Sequence, residues 1–575
     1  MTDREWGSDL AVDLLRQAGI EYVALNPGAT IRGLHDSLVH APDGAPRMVL
    51  CLHEGVAVGI AHGYAKASGR PMAVLLHDVV GLQNASMAIY NAWCDRVPML
   101  VLGGTGPMSK ARRRPWIDWI HTASAQAEAI RHYVKWDDQP HDLHSVPESF
   151  ARAVGLATSS PAGPVYWCLD VDLQEERLPA DLPEVSLDRF AVPTPPAARP
   201  EDLDELAERL RTARFPLFVA GHAGDTPEGF TALVELAELL AAPVLDTGPR
   251  LNFPTDHELW AAGMPDRLAE ADLVVLLDVD DPLGALRGAL SDVRAPAVAI
   301  TPGHLRVRSW AHDYQALVPT SRHLTSDAVP ALTGLLARLR EDPAPSGTVA
   351  ERRAGLAGCV RRTRERWRAA AETATAAGTV PVPRLLSELG RALEGRDWVL
   401  AAGTVDRAEH RLWDFTRPRQ WCGHSGGGGL GYGPAASVGV ALASPPGRIV
   451  VDVQGDGDLL FGPQALWTAA RLGVPVLFVV HDNRAYGNTV GHARSLGATR
   501  GRSAGSEYVG SGLDQPAVDL AGLARSLGVP AWGPVRDPGH LRLALTDALA
   551  TVAAGRPALI DVLTPGGPGD PEGDR

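Results

Sequence analysis

The chain has 575 residues, 45% hydrophobic and 21% charged, which is typical of a soluble globular protein with several domains. Its net charge is −14, and because nucleic-acid binding requires a basic surface, we expect no nucleic-acid partner. The five cysteines lack Cys-x-x-Cys spacing, and the sequence contains neither an N-terminal signal nor a membrane-spanning apolar run. We therefore expect a cytoplasmic protein with unpaired cysteines and no membrane partner.

Two changes in composition divide the chain into three α/β domains. Residues 178–199 are rich in proline, which fits a surface linker. Residues 341–380 begin with prolines and continue with arginine, glutamate and alanine, a pattern typical of a solvated helix. The last residues, 565–575, are expected to form a frayed tail. The prediction is an α/β protein of three Rossmann-like domains with parallel sheets, spanning residues 1–177, 200–340 and 380–565.

The first domain alternates helical and strand-like hydrophobic patterns in chain order. The pattern predicts helices over residues 6–17, 31–39, 56–67 and 84–94, and strands over residues 22–25, 48–52, 71–76 and 99–102. Polar motifs follow three of these strands: Asn26-Pro27-Gly28, Glu54 and His77. Because ligands bind at the carboxyl ends of strands in an open parallel sheet, these residues are candidates for a binding site.

The central domain has the same alternation without a ligand motif. Its pattern predicts helices over residues 203–210 and 231–240, and strands over residues 216–220, 273–278 and 297–301. Since no Gly-x-Gly-x-x-Gly sequence follows these strands, we do not expect NAD, and a scaffold is the better prediction.

The third domain contains a βαβ unit with two polar strand ends. The pattern predicts strands over residues 398–400, 449–453 and 474–480, and helices over residues 434–442 and 463–472. Gly455-Asp456-Gly457 follows one strand and Asn483 follows the next. The two polar residues are 483 − 456 = 27 positions apart, so neighbouring strands would bring them together. A carboxylate, an amide oxygen and a diphosphate can share one Mg²⁺, and glycines let the backbone approach the phosphate.

These motifs together resemble those of a known enzyme family. Gly455-Asp456-Gly457 with Asn483, and the upstream Leu52-His-Glu-Gly-Val-Ala-Val-Gly-Ile-Ala-His-Gly-Tyr-Ala, look like the thiamine-diphosphate (ThDP) enzymes. Within them the chain is most similar to 2-oxo acid decarboxylases and synthases of the benzoylformate decarboxylase and acetolactate synthase kind, over essentially its whole length. The resemblance implies ThDP and Mg²⁺ as cofactors and chemistry at C2 of the thiazolium ring.

The resemblance also implies the roles of individual residues. Glu54 would hydrogen-bond the aminopyrimidine, His77 would be a proton shuttle, and Leu430 would be the apolar residue beneath the bent cofactor. The metal ligands would be Asp456, Asn483 and the backbone oxygen of Ala485. The cofactor-binding residues would be Asn26, Pro27, Gly28, Glu54, Thr404, Gly429, Leu430, Gly455, Asp456, Gly457, Asp458, Asn483, Ala485, Tyr486 and Gly487.

Each motif also has a purely structural interpretation. Glu54 could simply favour a helix N-terminus, His77 could cap a strand end, and Gly455-Asp456-Gly457 could be an ordinary turn. His53 and His62 are expected to be structural.

Several positions depart from the pattern of the relatives. Ala29 stands where benzoylformate decarboxylases have a serine, and Asp281-Pro-Leu-Gly-Ala contains no histidine where a second active-site histidine is expected. Another group would then complete the proton transfers, the candidates being His121, His424 and His492. Asp278-Val-Asp-Asp-Pro lacks the Arg and Phe of the FAD-binding run in acetohydroxyacid synthases, so we do not expect FAD.

Glu54 and Asp456 belong to different domains, and in this family one subunit supplies each. We therefore expect a homodimer or homotetramer with active sites at the dimer interface. Three arginines, 112–114, beside Trp116 and Trp119 could bind an anionic substrate, but a subunit contact is favoured. Residues 488–505, rich in glycine and arginine, are predicted to form a lid.

Three functional hypotheses remain at this point. The first is a ThDP- and Mg²⁺-dependent decarboxylase of a 2-oxo acid, with acetolactate-synthase-like carboligation as its alternative. His77 favours decarboxylation. The second is a non-catalytic protein with the same fold, which the presence of Glu54 disfavours. The third, a nicotinamide or flavin oxidoreductase, is disfavoured by the missing fingerprints.

Overall fold

Parallel strands flanked by helices recur three times along the chain. The computed structural model describes residues 4–183, 186–303, 317–502 and 505–566, and the strands within these ranges form one six-stranded and two five-stranded parallel sheets. The predicted three-domain α/β architecture is therefore confirmed. Most of the predicted tail, residues 567–575, lies outside the described residues.

The first sheet has the strand order β2-β1-β3-β4-β6-β5. Its strands are β1 Tyr22–Leu25, β2 Arg47–Leu50, β3 Met72–His77, β4 Met99–Thr105, β5 Asp137–Asp138 and β6 Pro164–Asp170. Its helices are α1 Gly7–Gln17, α2 Arg32–Val39, α3 Glu54–Ser68, α4 Asp78–Cys94, α5 Asp118–His121, α6 Val146–Thr158 and α7 Val171–Gln174.

The central sheet has the order β11-β10-β9-β7-β8. Its strands are β7 Pro216–Ala220, β8 Val244–Asp246, β9 Leu273–Leu277, β10 Ala297–Thr301 and β11 Arg322–Thr325. Its helices are α8 Pro200–Thr212, α9 Pro227–Leu240, α10 Pro282–Arg287 and α11 Ala328–Glu341. The sequence prediction missed β8 and β11, which are short strands of three and four residues.

The third sheet has the order β12-β13-β14-β16-β15. Its strands are β12 Trp398–Gly403, β13 Ile449–Gly455, β14 Val476–Asp482, β15 Ala531–Val535 and β16 Ala558–Leu563. The helices from the connector onward are α12 Ser346–Leu356, α13 Cys359–Thr373, α14 Val382–Leu393, α15 Ala408–Leu412, α16 Tyr432–Ala443, α17 Asp456–Phe461, α18 Gln464–Leu472, α19 Gly487–Thr499, α20 Leu520–Ser526 and α21 Pro538–Ala553.

The connector over residues 341–380 differs from the single solvated helix that its charges predict. It forms α12 and α13, with Gly358 between them at φ +71°. Arg352 and Arg364 are only 7% and 4% exposed. Both guanidinium groups donate to backbone carbonyl groups, including those of Leu240 and Thr255. The connector is therefore bound to its neighbours by buried arginines.

Helix α3 of the first domain packs closely against helix α16 of the third. A Cβ on Gly59 would lie 2.6 Å from the Ala435 Cβ, and one on Gly63 would lie 2.0 Å from the Ala436 carbonyl oxygen. A Cβ on Gly439 would lie 1.9 Å from the Ile60 carbonyl oxygen. Residues of both domains belong to one hydrophobic core, so the first and third domains are packed as a unit.

All five cysteines are free, and three of them, Cys51, Cys168 and Cys422, are buried. Among the described residues, no helix has the length and apolar character that crossing a bilayer requires.

Candidate active site

The carboxyl ends of β1 and β3 form one side of the candidate site. Asn26 follows β1, and its amide donates to the Cys51 carbonyl oxygen at 3.0 Å, joining the ends of β1 and β2. Gly28 lies against the ring of His77, because a Cβ on Gly28 would be 2.2 Å from the His77 Cγ. The backbone of Gly28 is extended, with φ −161°, so close approach to His77 is what favours glycine here.

Glu54 is the first residue of α3 and is 6% exposed. His53 is the N-cap of this helix, and its Nδ1 accepts a hydrogen bond from the Gly55 N–H at 3.0 Å. This is the structural role expected of His53. The Asn84 amide donates to Glu54 Oε2 at 3.1 Å, and a Cβ on Gly81 would lie 3.5 Å from Oε1. One carboxylate oxygen is thus fixed by the protein, and no hydrogen bond within the described residues engages Oε1.

His77 is half-buried at the end of β3, and burial, then the charges of His121 and Arg114, lower its pKa. The His121 ring lies at the end of α5 with its centroid 5.7 Å from that of His77. Of the three replacement histidines, His121 therefore lies beside His77. His424 and His492 are exposed in the third domain, the latter on α19. The sequence could not place His121, because the loop from β4 to α5 determines its position.

Helix α4 begins at Asp78, six residues before the predicted start at residue 84. His77 is consequently the N-cap of α4, and Asp78 is its first residue. The early start also places Asn84 within the helix, where it reaches Glu54.

The loop of glycines 426–431 is held between the first and third domains. The Asn91 Oδ1 accepts from the Gly429 N–H at 3.2 Å, and the Asp458 Oδ1 accepts from the Gly431 N–H at 2.7 Å. Between these anchors, the Leu430 side chain remains 45% exposed. The carboxylate of Asp458, which was expected near the diphosphate, binds the glycine loop itself.

Thr404 joins the ends of the central strands of the third sheet. Its Oγ1 accepts from the Gly455 N–H at 3.0 Å and lies 3.2 Å from His481 Nε2. Gly457 lies beneath the ring of Tyr486, since a Cβ there would be 2.7 Å from that ring. These contacts bring Thr404, Gly455, Gly457 and Tyr486 to one edge of the sheet.

Asp456 and Asn483 follow the neighbouring strands β13 and β14, as the spacing predicts. Asp456 is 3% exposed and Asp482 is 4% exposed. Burial and the neighbouring Asp482 carboxylate raise the pKa of Asp456. The Asn483 Oδ1 accepts from the Ala485 N–H at 3.1 Å, and the Ala485 carbonyl accepts from the Gly487 N–H at 2.9 Å.

This group of oxygens fits a divalent cation. Carboxylate, amide and backbone oxygens are the ligands that Mg²⁺ and Ca²⁺ prefer, and a cation stabilises two neighbouring buried carboxyl groups as carboxylates. The 13-residue helix α19 begins beside them at Gly487, and the N-terminus of a helix favours a phosphate.

The strand ends of the central sheet are joined to the first domain by ion pairs. The Arg96 guanidinium donates to both oxygens of Asp278 at 2.8 Å and to Asp280 at 2.8 Å. His222 lies between Asp225 and Asp280, at 2.9 and 2.7 Å. Charged side chains therefore link the first domain to the strand ends of the central sheet.

Comparison with known proteins places these features in a family. The N-terminal thiamine pyrophosphate (TPP) binding domain of the TPP enzymes matches residues 5–131, and the C-terminal TPP binding domain of the same enzymes matches residues 401–562. The chain belongs to the thiamine-diphosphate-dependent enzymes of the decarboxylase and acetolactate synthase kind. Glu54, His77 and His121 lie within the first matched segment, and Thr404, Asp456 and Asn483 lie within the second.

Individual relatives align along nearly the whole chain. Benzoylformate decarboxylase from Pseudomonas aeruginosa is 29% identical over 559 residues, which cover 96% of this chain and 97% of that protein. A probable chloroplastic acetolactate synthase 2 from Oryza sativa subsp. japonica is 27% identical, over 97% of this chain and 83% of that protein. Among solved structures, the 4-hydroxybenzoylformate decarboxylase of Rhodococcus jostii RHA1 has a TM-score of 0.75 at 24% identity, covering 97% of this chain and 99% of that one.

Proposed function

We propose that the protein is a ThDP- and Mg²⁺-dependent lyase that decarboxylates a 2-oxo acid. The observation that carries this proposal is the placement of Glu54, His77 and His121 in the first domain, with His121 beside His77 at the end of β3. Loss of CO₂ from a 2-oxo acid leaves a carbon that must be protonated, and imidazoles are suited to that transfer at neutral pH. Bound ThDP supplies the electron sink for the bond cleavage.

Each residue has a separate task in this proposal. Asn84 holds Glu54 Oε2, which leaves Oε1 to hydrogen-bond the aminopyrimidine ring. His77 exchanges a proton with the substrate through Nε2, because its Nδ1 is bound by Thr30. His121 supplies the second imidazole that the central domain lacks at 281–285. The exposed Leu430 side chain supports the cofactor from below.

For the metal, we propose Asp456, Asn483 and the Ala485 carbonyl oxygen as Mg²⁺ ligands. Their support is the neighbouring position of β13 and β14 and the buried carboxyl pair of Asp456 and Asp482. Asn26, Pro27, Gly28, Thr404, Gly429, Gly455, Gly457, Tyr486 and Gly487 would line the cofactor, whereas Asp458 would act through the glycine loop.

The alternative is carboligation of pyruvate with a second carbonyl acceptor. Two observations favour it: Ala29 offers no hydroxyl group to a substrate carboxylate, and Asp281 caps α10 by accepting from the Gly284 N–H. The acetolactate synthases among the relatives support the same alternative.

A substrate panel with ThDP and Mg²⁺ separates the two reactions. Pyruvate and phenylglyoxylate are supplied singly and together, and the products are identified by chromatography. An aldehyde indicates a lyase, and a hydroxyketone or acetohydroxy acid indicates a carboligase. If no 2-oxo acid is consumed, both functions are refuted.

Glu54→Gln tests the catalytic acid directly. We expect turnover to fall at least about 100-fold, since general acid catalysis contributes that much, whereas ThDP binding measured by calorimetry remains nearly intact. The matched control is Glu21→Gln, because Glu21 forms surface ion pairs with Arg47 and Arg70. Equal turnover in Glu54→Gln and the wild type would contradict the assignment.

We further propose that each site forms between two copies of the chain, with Glu54 from one and Asp456 from the other. The support is exposed apolar side chains near each half: Trp116 and Trp119 are 72% and 73% exposed, and Leu496 of α19 is 48% exposed. Such amphipathic anchors are common at subunit contacts. Helix α19 covers residues 488–499 of the predicted lid, and residues 503 and 504 of the lid lie outside the described residues.

Mixing two inactive variants tests this arrangement. If sites are shared, unfolding and reassembling Glu54→Gln with Asp456→Ala gives mixed dimers with one intact site, and activity returns to about a quarter of the wild-type value for random pairing. Sites formed within one chain would give no recovery. As a control, the Glu54→Gln variant is unfolded and reassembled alone, and it should stay inactive in either case.

A further inference from the structure

Asp78 has an unusual environment for the first residue of a helix. It is 1% exposed, and its backbone has φ +51°, a conformation that residues other than glycine rarely adopt. Its Oδ1 accepts a hydrogen bond from the N–H of Val79, the next residue. Its Oδ2 is buried without a hydrogen-bond partner in the described part of the chain. A buried carboxylate oxygen without a partner is costly, so this oxygen requires an explanation.

The surroundings of Asp78 contain two imidazoles. One nitrogen of His77, one nitrogen of His121 and one carboxylate oxygen of Asp78 all lie within 4.8 Å of one another. One bridging water can span a gap of this size. The three groups therefore form a polar cluster at the end of β3.

The other charged groups near this cluster already have partners. The Arg114 guanidinium donates to Asp118 Oδ1 at 3.1 and 2.8 Å. Glu54 accepts from Asn84. Burial raises the pKa of Asp78 to about 6, and a positive charge on His121 opposes that rise. In the described part of the chain, neither His77 nor His121 is held by another carboxylate, and Thr30 already contacts the His77 ring, which leaves His121 as the group for Asp78 to hold.

We propose that Asp78 is a positioning residue that holds His121 beside His77, so that the two imidazoles transfer protons in sequence. This proposal rests on the proposed function and adds the device that keeps the second imidazole in place. Conversion of a 2-oxo acid anion, RCOCO₂⁻, to RCHO and CO₂ consumes one proton. Solvent protonates His121, His121 passes the proton to His77, and His77 delivers it to the substrate.

The simpler interpretation is that Asp78 only stabilises the start of α4. That role uses the oxygen bound to the Val79 N–H and the favourable charge at a helix N-terminus. Asn at this position can make the same hydrogen bond but has no negative charge to hold an imidazolium. Asp78→Asn therefore separates a structural cap from a partner of His121.

A double-mutant cycle of Asp78→Asn and His121→Gln tests whether Asp78 acts through His121. In the wild-type background, we expect Asp78→Asn to lower kcat about tenfold, with KM changed less than about twofold and an altered acid limb of the pH profile. In the His121→Gln background, Asp78→Asn should change kcat less than about twofold. Equal losses in both backgrounds, or an unchanged kcat in the wild-type background, would overturn the proposal.

A second measurement does not depend on turnover. In the holoenzyme, diethylpyrocarbonate modification of His121 is followed by peptide mass spectrometry, with the exposed His40 as internal reference. We expect His121 to react at least about threefold faster in Asp78→Asn, because the ring is no longer held; an unchanged relative rate overturns the proposal. Asp78→Ser replaces Asp78→Asn if the latter fails to fold. If the wild type consumes no 2-oxo acid, the proposed function fails. The rate of diethylpyrocarbonate modification still shows whether Asp78 holds His121.

Discussion

Thr30 binds His77 through a single ring nitrogen. The Thr30 backbone N–H donates to His77 Nδ1 at 3.4 Å, and the Thr30 hydroxyl group lies 2.8 Å from the same nitrogen. The backbone contact is the longer one, and a proton shuttle through Nε2 requires Nδ1–H to donate to the Thr30 hydroxyl oxygen, so that Nε2 can gain and lose the second proton of the ring. Thr30 is itself fully buried, which fixes the direction in which the ring presents Nε2.

Thr30→Val should therefore impair proton transfer without impairing folding. Loss of one hydrogen bond of about 1 kcal/mol lets the ring turn, and we expect kcat to fall about fivefold with KM little changed. Thr30→Ser keeps the hydroxyl group and is the matched control. Steady-state kinetics on the substrate found in the panel provide the measurement. Equal kinetics in Thr30→Val and Thr30→Ser would show that the hydroxyl group does not orient His77.

Gly28→Ala should displace His77 by direct collision. A Cβ at this position would lie 2.2 Å from the His77 Cγ, well below any contact distance. We expect a loss of at least about tenfold in kcat, because the imidazole cannot remain at the strand end. Gly155→Ala is the control, since a Cβ on this helical glycine meets nothing within 4 Å. A Gly28→Ala variant with normal turnover would place the proton transfer elsewhere.

Asp456→Asn should weaken cofactor binding through the metal. Removing one of the two buried carboxylates lowers cation affinity, so we expect ThDP to bind at least about tenfold more weakly at fixed Mg²⁺. Calorimetry with and without EDTA measures this effect. Asp458→Asn is the matched control, because its amide oxygen can still accept the hydrogen bond from the Gly431 N–H. Similar losses in both variants would argue against a specific ligand role for Asp456.

Lys66→Met should destabilise the contact between the first and third domains. Lys66 is 1% exposed, lies 2.6 Å from Asp95, and donates to the His424 carbonyl oxygen at 2.8 Å. Its removal leaves the Asp95 carboxylate buried beside His62, which also lies 2.8 Å from it. This buried His62 agrees with the structural role expected for it. We expect a loss of about 3–5 kcal/mol of stability.

The control for Lys66 is Arg70→Met. Arg70 forms an exposed ion pair with Glu21 at 3.0 Å, and such pairs contribute less than about 1 kcal/mol. Denaturant titration followed by tryptophan fluorescence compares the two variants. Comparable losses would mean that the buried pair contributes no more than a surface one.

His222 should make the stability of the protein depend on pH in the alkaline range. Burial alone would lower the pKa of His222, but the Asp280 and Asp225 carboxylates outweigh burial and raise it to about 9. The folded pKa lies above the unfolded value of about 6.5. The contribution of at most about 3 kcal/mol is therefore fully present below pH ~6.5 and is lost as pH rises through about 9.

The apparent unfolding temperature, measured from pH 6 to pH 10, tests this dependence on His222. We expect a fall between pH ~7 and pH ~10 in the wild type and a flatter profile in His222→Gln. Arg96 also faces this group and stays charged throughout, so it does not produce the fall. An equally steep fall in His222→Gln would assign the effect to another group.

Residues near strand ends could be predicted from the sequence because local patterns determine them. Apolar runs define β3, β13 and β14, and the polar residue that follows each run lies at the mouth of a sheet. The start of α4 was missed because Asp78, two valines and a glycine precede Asn84, and these residues have low helix propensity. Tertiary contacts outweigh that propensity.

Other features depend on contacts between distant segments, which local patterns do not contain. His121 is 44 positions from His77 (121 − 77 = 44), and only the folded β4–α5 loop brings the rings together. Arg352 and Arg364 have the same sequence context as their exposed neighbours. They are buried because their guanidinium groups bind carbonyl groups far along the chain. Asp458 likewise turns to Gly431 because the glycine loop folds over it.

The close packing of α3 on α16 has a consequence for synthesis on the ribosome. Ile60 and Ala436 are 436 − 60 = 376 residues apart, so translation takes roughly 20–75 s between them. Throughout that interval the glycine-lined face of α3 has no counterpart to cover it. Nascent chains should therefore expose an aggregation-prone helix for that whole interval. A cell that makes this enzyme quickly would benefit from chaperones that bind the amino-terminal third of the chain during synthesis.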